Sequence, residues 1–399
     1  INTNTNVSTF LQQSSKLVAS DNTNAQQGYV SMTRNGLILV VGGPGFLIDE
    51  GTVWIFSRSS VTDPFVQAGS NIPATGAIGP AERGFSVSVS DDGLILAVGG
   101  PGDNNDTGAV WIYTRSVSTE AFVQQGNKLT DRSAIGARQG YSVSLSSDGL
   151  NLAVGGPNDN NNEGAVWMYT RSANSNPFVQ QGKKLTDGSV LSTQGWSVSL
   201  SADGLSLAVG GPNDENSEGA VWIYTRPIVT NSFSQQGKKL TDGSAFASQG
   251  SSVSLSADGL SLAVGGFLDT VFIGTVWVYS RNAITDTFVQ QGTKLTGHGN
   301  VAASNQGYSV SLSGDGLTLA VGGPNDNNNE GAVWIYTRSV KTDNFVQQGS
   351  KLIGEGASAG IVNQGNSVSL SGDGSSLAIG GPGDNSGTGA VWTWNIHTN

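Results

Sequence analysis

The stretch Gln139-Gly140-Tyr141-Ser142-Val143-Ser144-Leu145-Ser146 returns, with small changes, along the whole chain. The glycine that opens it has equivalents at Gly28, Gly84, Gly195, Gly250, Gly307 and Gly365. The intervals are 56, 56, 55, 55, 57 and 58 residues. Self-similarity at a near-constant period of this size marks solenoids, propellers or arrays. The 399 residues are therefore one unit written seven times.

Within a unit, small polar and apolar residues alternate over Ser142 to Ser146, and after Ser147-Asp148-Gly149 the alternation resumes over Leu150 to Gly155. Two such runs joined at Asp-Gly predict a hairpin, strands A and B. A polar loop from Pro157 to Gly164 leads to Ala165-Val166-Trp167-Met168-Tyr169-Thr170, whose β-branched and aromatic residues suit a pleated sheet, strand C. Phe178-Val179-Gln180-Gln181 supplies strand D, and no segment carries an amphipathic helical period. A radial stack of such four-stranded antiparallel meanders is a β-propeller.

The chain ends supply an independent argument. The seventh unit stops after its strand C, at Val391-Trp392-Thr393-Trp394, while Phe10-Leu11-Gln12-Gln13-Ser14-Ser15-Lys16-Leu17 matches Phe345-Val346-Gln347-Gln348-Gly349-Ser350-Lys351-Leu352. Residues 10–17 are expected to complete blade 7 and close the ring, which removes edges that invite aggregation. The expectation is an all-β chain, a single seven-bladed β-propeller over residues 1–399.

Composition narrows the function. Lys and Arg number 19 against 30 Asp and Glu, a net charge of -11, so no basic face for nucleic acid is expected. With no cysteine and only His298 and His397, there is no thiolate site and little scope for a histidine-based metal or catalytic cluster. No apolar run is long enough for membrane insertion by a helix. The chain begins at Ile1 in a polar stretch, as a mature chain does after a leader is removed and as a trimmed one does too; secretion is the expectation.

Gly-Tyr-Ser-Val followed by Leu-Ala-Val-Gly-Gly-Pro resembles the FG-GAP repeat, the blade of the integrin α-subunit propeller. Residues 194 to 212 resemble more closely the related repeats of bacterial and giant-virus surface proteins. The resemblance covers all seven units. It implies an extracellular, cell-surface or virion-surface module that binds or assembles. Integrin blades that bind calcium carry a long acidic loop between the two elements, which is reduced here to a turn such as Ala202-Asp203-Gly204, so that site is not carried over. Asp92, Asp148, Asp203, Asp258, Asp315 and Asp373, with Asn35, are expected to bond the turn backbone.

The loop between strands B and C is the place for a cation, with calcium the one cofactor considered. Asp159, Asn161 and Glu163, Asp214, Asn216 and Glu218, and Asp326, Asn328 and Glu330 set oxygen ligands at alternate positions before a glycine, like the first half of an EF-hand loop, without its later bidentate acid. The alternative is that Asn and Asp only shape a polar turn. Units one and five break the pattern with Phe46, Leu47 and Ile48, and with Phe267, Leu268, Val271, Phe272 and Ile273. Apolar loops there mark either a contact surface or segments packed on their own blade. The two units lie three steps apart around the ring, so paired patches would join subunits head to tail.

Trp54, Trp111, Trp167, Trp222, Trp277, Trp334 and Trp392 recur at one place in strand C and are read as packing between sheets. The arginines four residues on, from Arg58 to Arg338, are expected to make an ion pair or bond a turn carbonyl. Ser251 and Asn366 replace an aromatic residue found in the other units, which leaves a notch near the axis or looser packing. Asn6 and Asn105 open glycosylation sequons. The expected function is non-enzymatic: self-association or adhesion to a protein partner through the loops. The alternative is a glycan-binding lectin, with or without calcium. A glycosidase with paired carboxylates comes last, because the acids recur as structural residues do.

Overall fold

The computed structural model describes residues 9–22, 24–131, 134 and 136–397. Seven four-stranded antiparallel sheets form a ring, a seven-bladed β-propeller. In blade 3, strand A is Ser142–Leu145, strand B Asn151–Gly156, strand C Ala165–Thr170 and strand D Val179–Gln180. Strand D is shorter than the sequence pattern suggests. After Gln180 the chain bulges at Gly182, in the left-handed region at φ 72°, and rejoins the sheet where Leu185 exchanges backbone bonds with Val166.

Strand A of each blade faces the axis and strand D the rim. Every residue of strand B is buried in all seven blades, because both of its faces are covered by neighbouring sheets. The apolar core is accordingly not central. It is a set of layers between blades: Ile95, Ala97, Val110 and Ile112 of blade 2 pack on Leu152, Val154, Trp167 and Tyr169 of blade 3. The seven strand C tryptophans are fully buried in these layers. The doubled glycine ending strand B is a packing requirement. A Cβ on Gly155 would stand 2.0 Å from the carbonyl oxygen of Gly195 in the next blade.

Strand A serines bond the blades together. Ser31, Ser88, Ser144, Ser199, Ser254, Ser311 and Ser369 each accept, at 2.9–3.3 Å, the backbone N–H of Val89, Leu145, Leu200, Leu255, Leu312, Leu370 and Met32 in the next blade. The circuit closes after seven steps. A hydroxyl presented this way satisfies a backbone donor that an apolar side chain would leave unpaired, which is why strand A reads Ser-Val-Ser-Leu rather than wholly apolar.

The ring closes as the termini indicate. Thr9–Gln12 pairs antiparallel with Ala390–His397, in the register Phe10↔Ile396, Leu11↔Asn395 and Gln12↔Trp394. Leu17 and Val391 exchange backbone bonds of 2.7 and 3.0 Å. No helix among the described residues is long and apolar enough to cross a membrane.

Candidate binding face

The B–C loops and D–A connections lie on one face. In blade 3 the backbone N–H groups of Thr193 and Gln194 donate to the carbonyls of Asn162 and Glu163. Each B–C loop is a tight turn whose residues sit in the left-handed region. Asn160 and Asn161 have φ/ψ of 49°/55° and 58°/48°, and Asn162 has φ 68°. Asn, which visits that region more readily than other residues with a Cβ, fills these positions in several blades. The need is a backbone conformation rather than ligand oxygens.

The first acid of each loop turns inward. Asp103, Asp159, Asp214, Asp269, Asp326 and Asp384 are buried. Each pairs with a lysine that follows strand D of its own blade: Lys128, Lys184, Lys239, Lys294, Lys351 and, for blade 7, Lys16. In three loops the other carboxylate oxygen accepts a backbone N–H from the preceding D–A connection: Ile78 to Asp103, Val301 to Asp326 and Ser358 to Asp384, at 2.7–2.8 Å. The pair thus fastens a B–C loop to two connections.

This geometry does not fit a calcium ion. Asp159, Asp214 and Asp326 point to an ammonium, while Asn161, Asn216 and Asn328 are exposed on the other side of the turn. Glu163 accepts from Asn160 and Thr186, Glu330 accepts from Asn327, and no described side chain bonds the carboxylate of Glu218. Among the described residues no three acids or histidines converge. Blade 1 supports the pairing by its exception. Phe46 stands in place of the acid and Asn71 in place of the lysine, and the Phe46 ring meets Trp54 edge-on at 5.7 Å.

The acids differ in their electrostatics. Burial pushes the Asp269 carboxyl up, but Lys294 and the Thr275 hydroxyl, 2.7 Å away, outweigh it and hold the group below its ordinary value. For Asp214 burial prevails over Lys239, and neighbouring Glu215 and Asp187 add to the rise. Thr275 is the local difference, since Ala220 stands at its place in blade 4.

The apolar loops divide between the two readings. Phe46 is buried, and Phe267 packs on Tyr308 with ring centroids 5.5 Å apart; Leu268 and Ile273 are half-buried. Phe46 and Phe267 anchor their loops through these ring contacts. Leu47, Ile48, Val271 and Phe272 are exposed at the tips, Ile48 at 93% and Val271 at 84%. Leu47, Ile48, Thr270, Val271 and Phe272 all hold positive φ, from 50° to 68°. A β-branched residue there is a true outlier, and left-handed backbone costs an L-residue with a Cβ about 1–2 kcal/mol.

Sequence reasoning missed two features of this face. One is the lysine: five of the pairs span a constant 25 residues, a spacing visible in the repeat. The other is a set of exposed apolar residues on the D–A connections: Ile78, Val190, Leu191, Phe246, Val301 and Ile361. Leu191, Phe246 and Ile361 lie four residues before the glycine that opens the next unit, and Ile78 and Val301 six before it, so the recurrence is partial.

The remaining sites fall elsewhere. Asp148 accepts the Leu150 N–H at 2.9 Å within its turn, as expected. Arg171 donates from Nε to the Gly149 carbonyl at 3.0 Å and lies over the Phe178 ring, so the arginine bonds a turn carbonyl. Near the axis Tyr29, Phe85, Tyr141 and Trp196 form a run of ring contacts 4.7–5.3 Å apart. At the first exception the Ser251 hydroxyl is buried on the carbonyls of Gly265 and Gly307. Asn105 is exposed at a loop tip, and Asn6 lies outside the described residues.

Fold and face together define a β-propeller built of seven repeated blades, with one face carrying strained apolar loop tips. No protein-family profile matches the chain. Among solved structures it is similar to the crystal structure of a functionally unknown protein from Desulfotomaculum acetoxidans DSM 771. The TM-score is 0.53 at 13% identity, over 82% of this chain and 88% of that one. At that identity the likeness concerns the fold alone.

Proposed function

We propose that this protein is a non-enzymatic binding module of the FG-GAP type, working at a cell or particle surface. It docks on a protein partner, in the simplest case a second copy, through its B–C and D–A loops. One observation carries the reading: Ile48 and Val271 hold left-handed backbone while almost fully exposed. Backbone strain combined with an exposed apolar side chain does nothing for the fold, and such strain clusters where function requires it. At the same turn position Asn105, Asn161, Asn216 and Asn328 meet the conformational need without apolar exposure. The patches of blades 1 and 5 lie on opposite sides of the ring, and a heterologous contact between them propagates into a filament or lattice.

Electron microscopy of the native material tests this reading. Discs joined through the loops 45–49 and 267–273 support it; isolated discs that bind no protein contradict it.

A second reading rests on a different observation. A cleft of about 680 Å³ between the loops of blades 3 and 4 is lined by Trp196, Asn158, Asn162, Glu215 and Leu191, a mixture of aromatic surface and hydrogen-bonding groups that suits a sugar. A glycan array without hits removes it.

A further inference from the structure

Among the described arginines that follow strand C, Arg115 is bonded to no side-chain amide, whereas Arg58 Nη1 donates to the Asn395 side-chain oxygen at 3.4 Å and the others use a glutamine. In blades 3 to 6, Nη1 of Arg171, Arg226, Arg281 and Arg338 donates to the side-chain carbonyl of a glutamine that follows strand D of the preceding blade. These are Gln125, Gln181, Gln236 and Gln291, at 2.6–2.8 Å. The amide nitrogen of each glutamine donates onward to the carbonyl three residues beyond the arginine, that of Asn174, Val229, Ile284 or Lys341. A carboxamide therefore bridges a guanidinium donor and a carbonyl acceptor.

In blade 2 the bridge is missing. Arg115 faces Ala68, because strand D of blade 1 continues Val66-Gln67-Ala68-Gly69 where the other units have a second glutamine in place of the alanine. A second acceptor is lost as well. Nη2 of Arg58, Arg226, Arg281 and Arg338 bonds Ser376, Asn151, Ser206 and Ser261 at the start of the preceding strand B, where this junction has Ile38. Arg115 Nη1 turns to the Glu120 carbonyl at 3.3 Å, and Nη2 is buried without a partner. Among the described residues no donor reaches the carbonyl of Ser118, three residues beyond Arg115. Ala68, shorter than the glutamine it replaces, lines a cleft of about 1090 Å³ between blades 1 and 2 together with Arg115, Ser118, Ile38 and Val66.

We propose that this cleft binds a polypeptide segment through a Gln or Asn side chain. Its oxygen accepts from Arg115 Nη1, as Gln125 accepts from Arg171 Nη1, and its nitrogen donates to the Ser118 carbonyl. The chemistry selects a carboxamide, since arginine only donates and a carbonyl only accepts. A carboxylate would meet that carbonyl and the acids Asp63, Asp92 and Glu120 that line the cleft. The volume exceeds one side chain, and strand D, Val66–Gln67, is a rim strand with a single neighbour, along which an extended segment can pair. The cleft lies among A–B turns and C–D loops, away from the loop face, and is independent of the docking proposed there.

The test is titration calorimetry on the full chain with acetyl-Phe-Val-Gln-Gln-Gly-amide, its Leu-Leu counterpart and acetamide. Binding of the glutamine peptide, at least tenfold weaker for the leucine peptide and for the variants A68Q and R115M, is the result expected. A68Q supplies the missing carboxamide from within and is also expected to raise the melting temperature. No binding by the wild type, equal binding by A68Q, or a lower melting temperature for A68Q overturns the proposal. Acetamide binding as tightly as the peptide overturns the assignment to a polypeptide.

Discussion

Lys16 Nζ lies 2.5 Å from Asp384 Oδ2, joining residues 368 positions apart in the chain. The same acid–lysine pair that ties loops within blades 2 to 6 here ties the first segment of the chain to the last blade, next to the strand pairing of Thr9–Gln12 with Ala390–His397. The Asp384 carboxylate is fully buried. Removing one partner of a buried pair leaves the other charge uncompensated, a loss of about 3–5 kcal/mol. Lys16→Met is therefore expected to lower stability by about that amount in denaturant titration. The double variant Lys16→Met/Asp384→Leu should lose clearly less, since an apolar replacement of both charges can be near neutral.

The serine circuit makes a smaller, repeated contribution. Ser199→Ala leaves the Leu255 N–H without its acceptor, which costs about 1–3 kcal/mol for a buried donor. Hydrogen exchange at Leu255 should accelerate in that variant, while the equivalent amide of Leu145, two junctions away, stays protected.

Asp269 and Asp214 should titrate in opposite directions from the ordinary carboxyl value. The folded pKa of Asp269 is depressed, so its contribution to stability is present above the unfolded carboxyl value, about 3.9, and is lost as pH falls through the folded value. That of Asp214 is raised, so protonation of Asp214 favours the folded state as pH falls. Carboxyl NMR titration should find Asp269 the lower of the two, and Thr275→Ala should move Asp269 upward by deleting the hydroxyl donor.

Calcium and chelator are expected to leave the melting temperature unchanged. A ligand of the folded state would raise it by mass action, but lysine already occupies the acids of the B–C loops. A calcium-dependent shift abolished by Asp326→Asn would contradict this.

The ring was legible because its constraints repeat. Gly155 and Gly210 must admit the next blade's backbone at every junction, and period and closure follow from such recurring positions. The loops were legible only in part, because one residue type meets several needs there. Asn161 can be read as an oxygen ligand or as a residue tolerant of left-handed backbone, and φ/ψ, which the sequence does not display, decides between them. Phe46 and Ile48 likewise look alike as apolar loop residues, yet one packs on Trp54 and the other stands in solvent. The Arg115 cleft needed both levels: Ala68 departs from the repeat in the sequence, but the guanidinium it leaves without a carboxamide partner is visible only in the fold.

Sedimentation of the wild type and of the double variant Ile48→Asn/Val271→Asn, read beside their unfolding free energies, tests the docking face most directly. Relief of two strained left-handed residues should stabilise the variant by about 1–2 kcal/mol per site, while the concentration-dependent association expected of the wild type should disappear. A variant that associates as the wild type does, or that is less stable, would contradict the account.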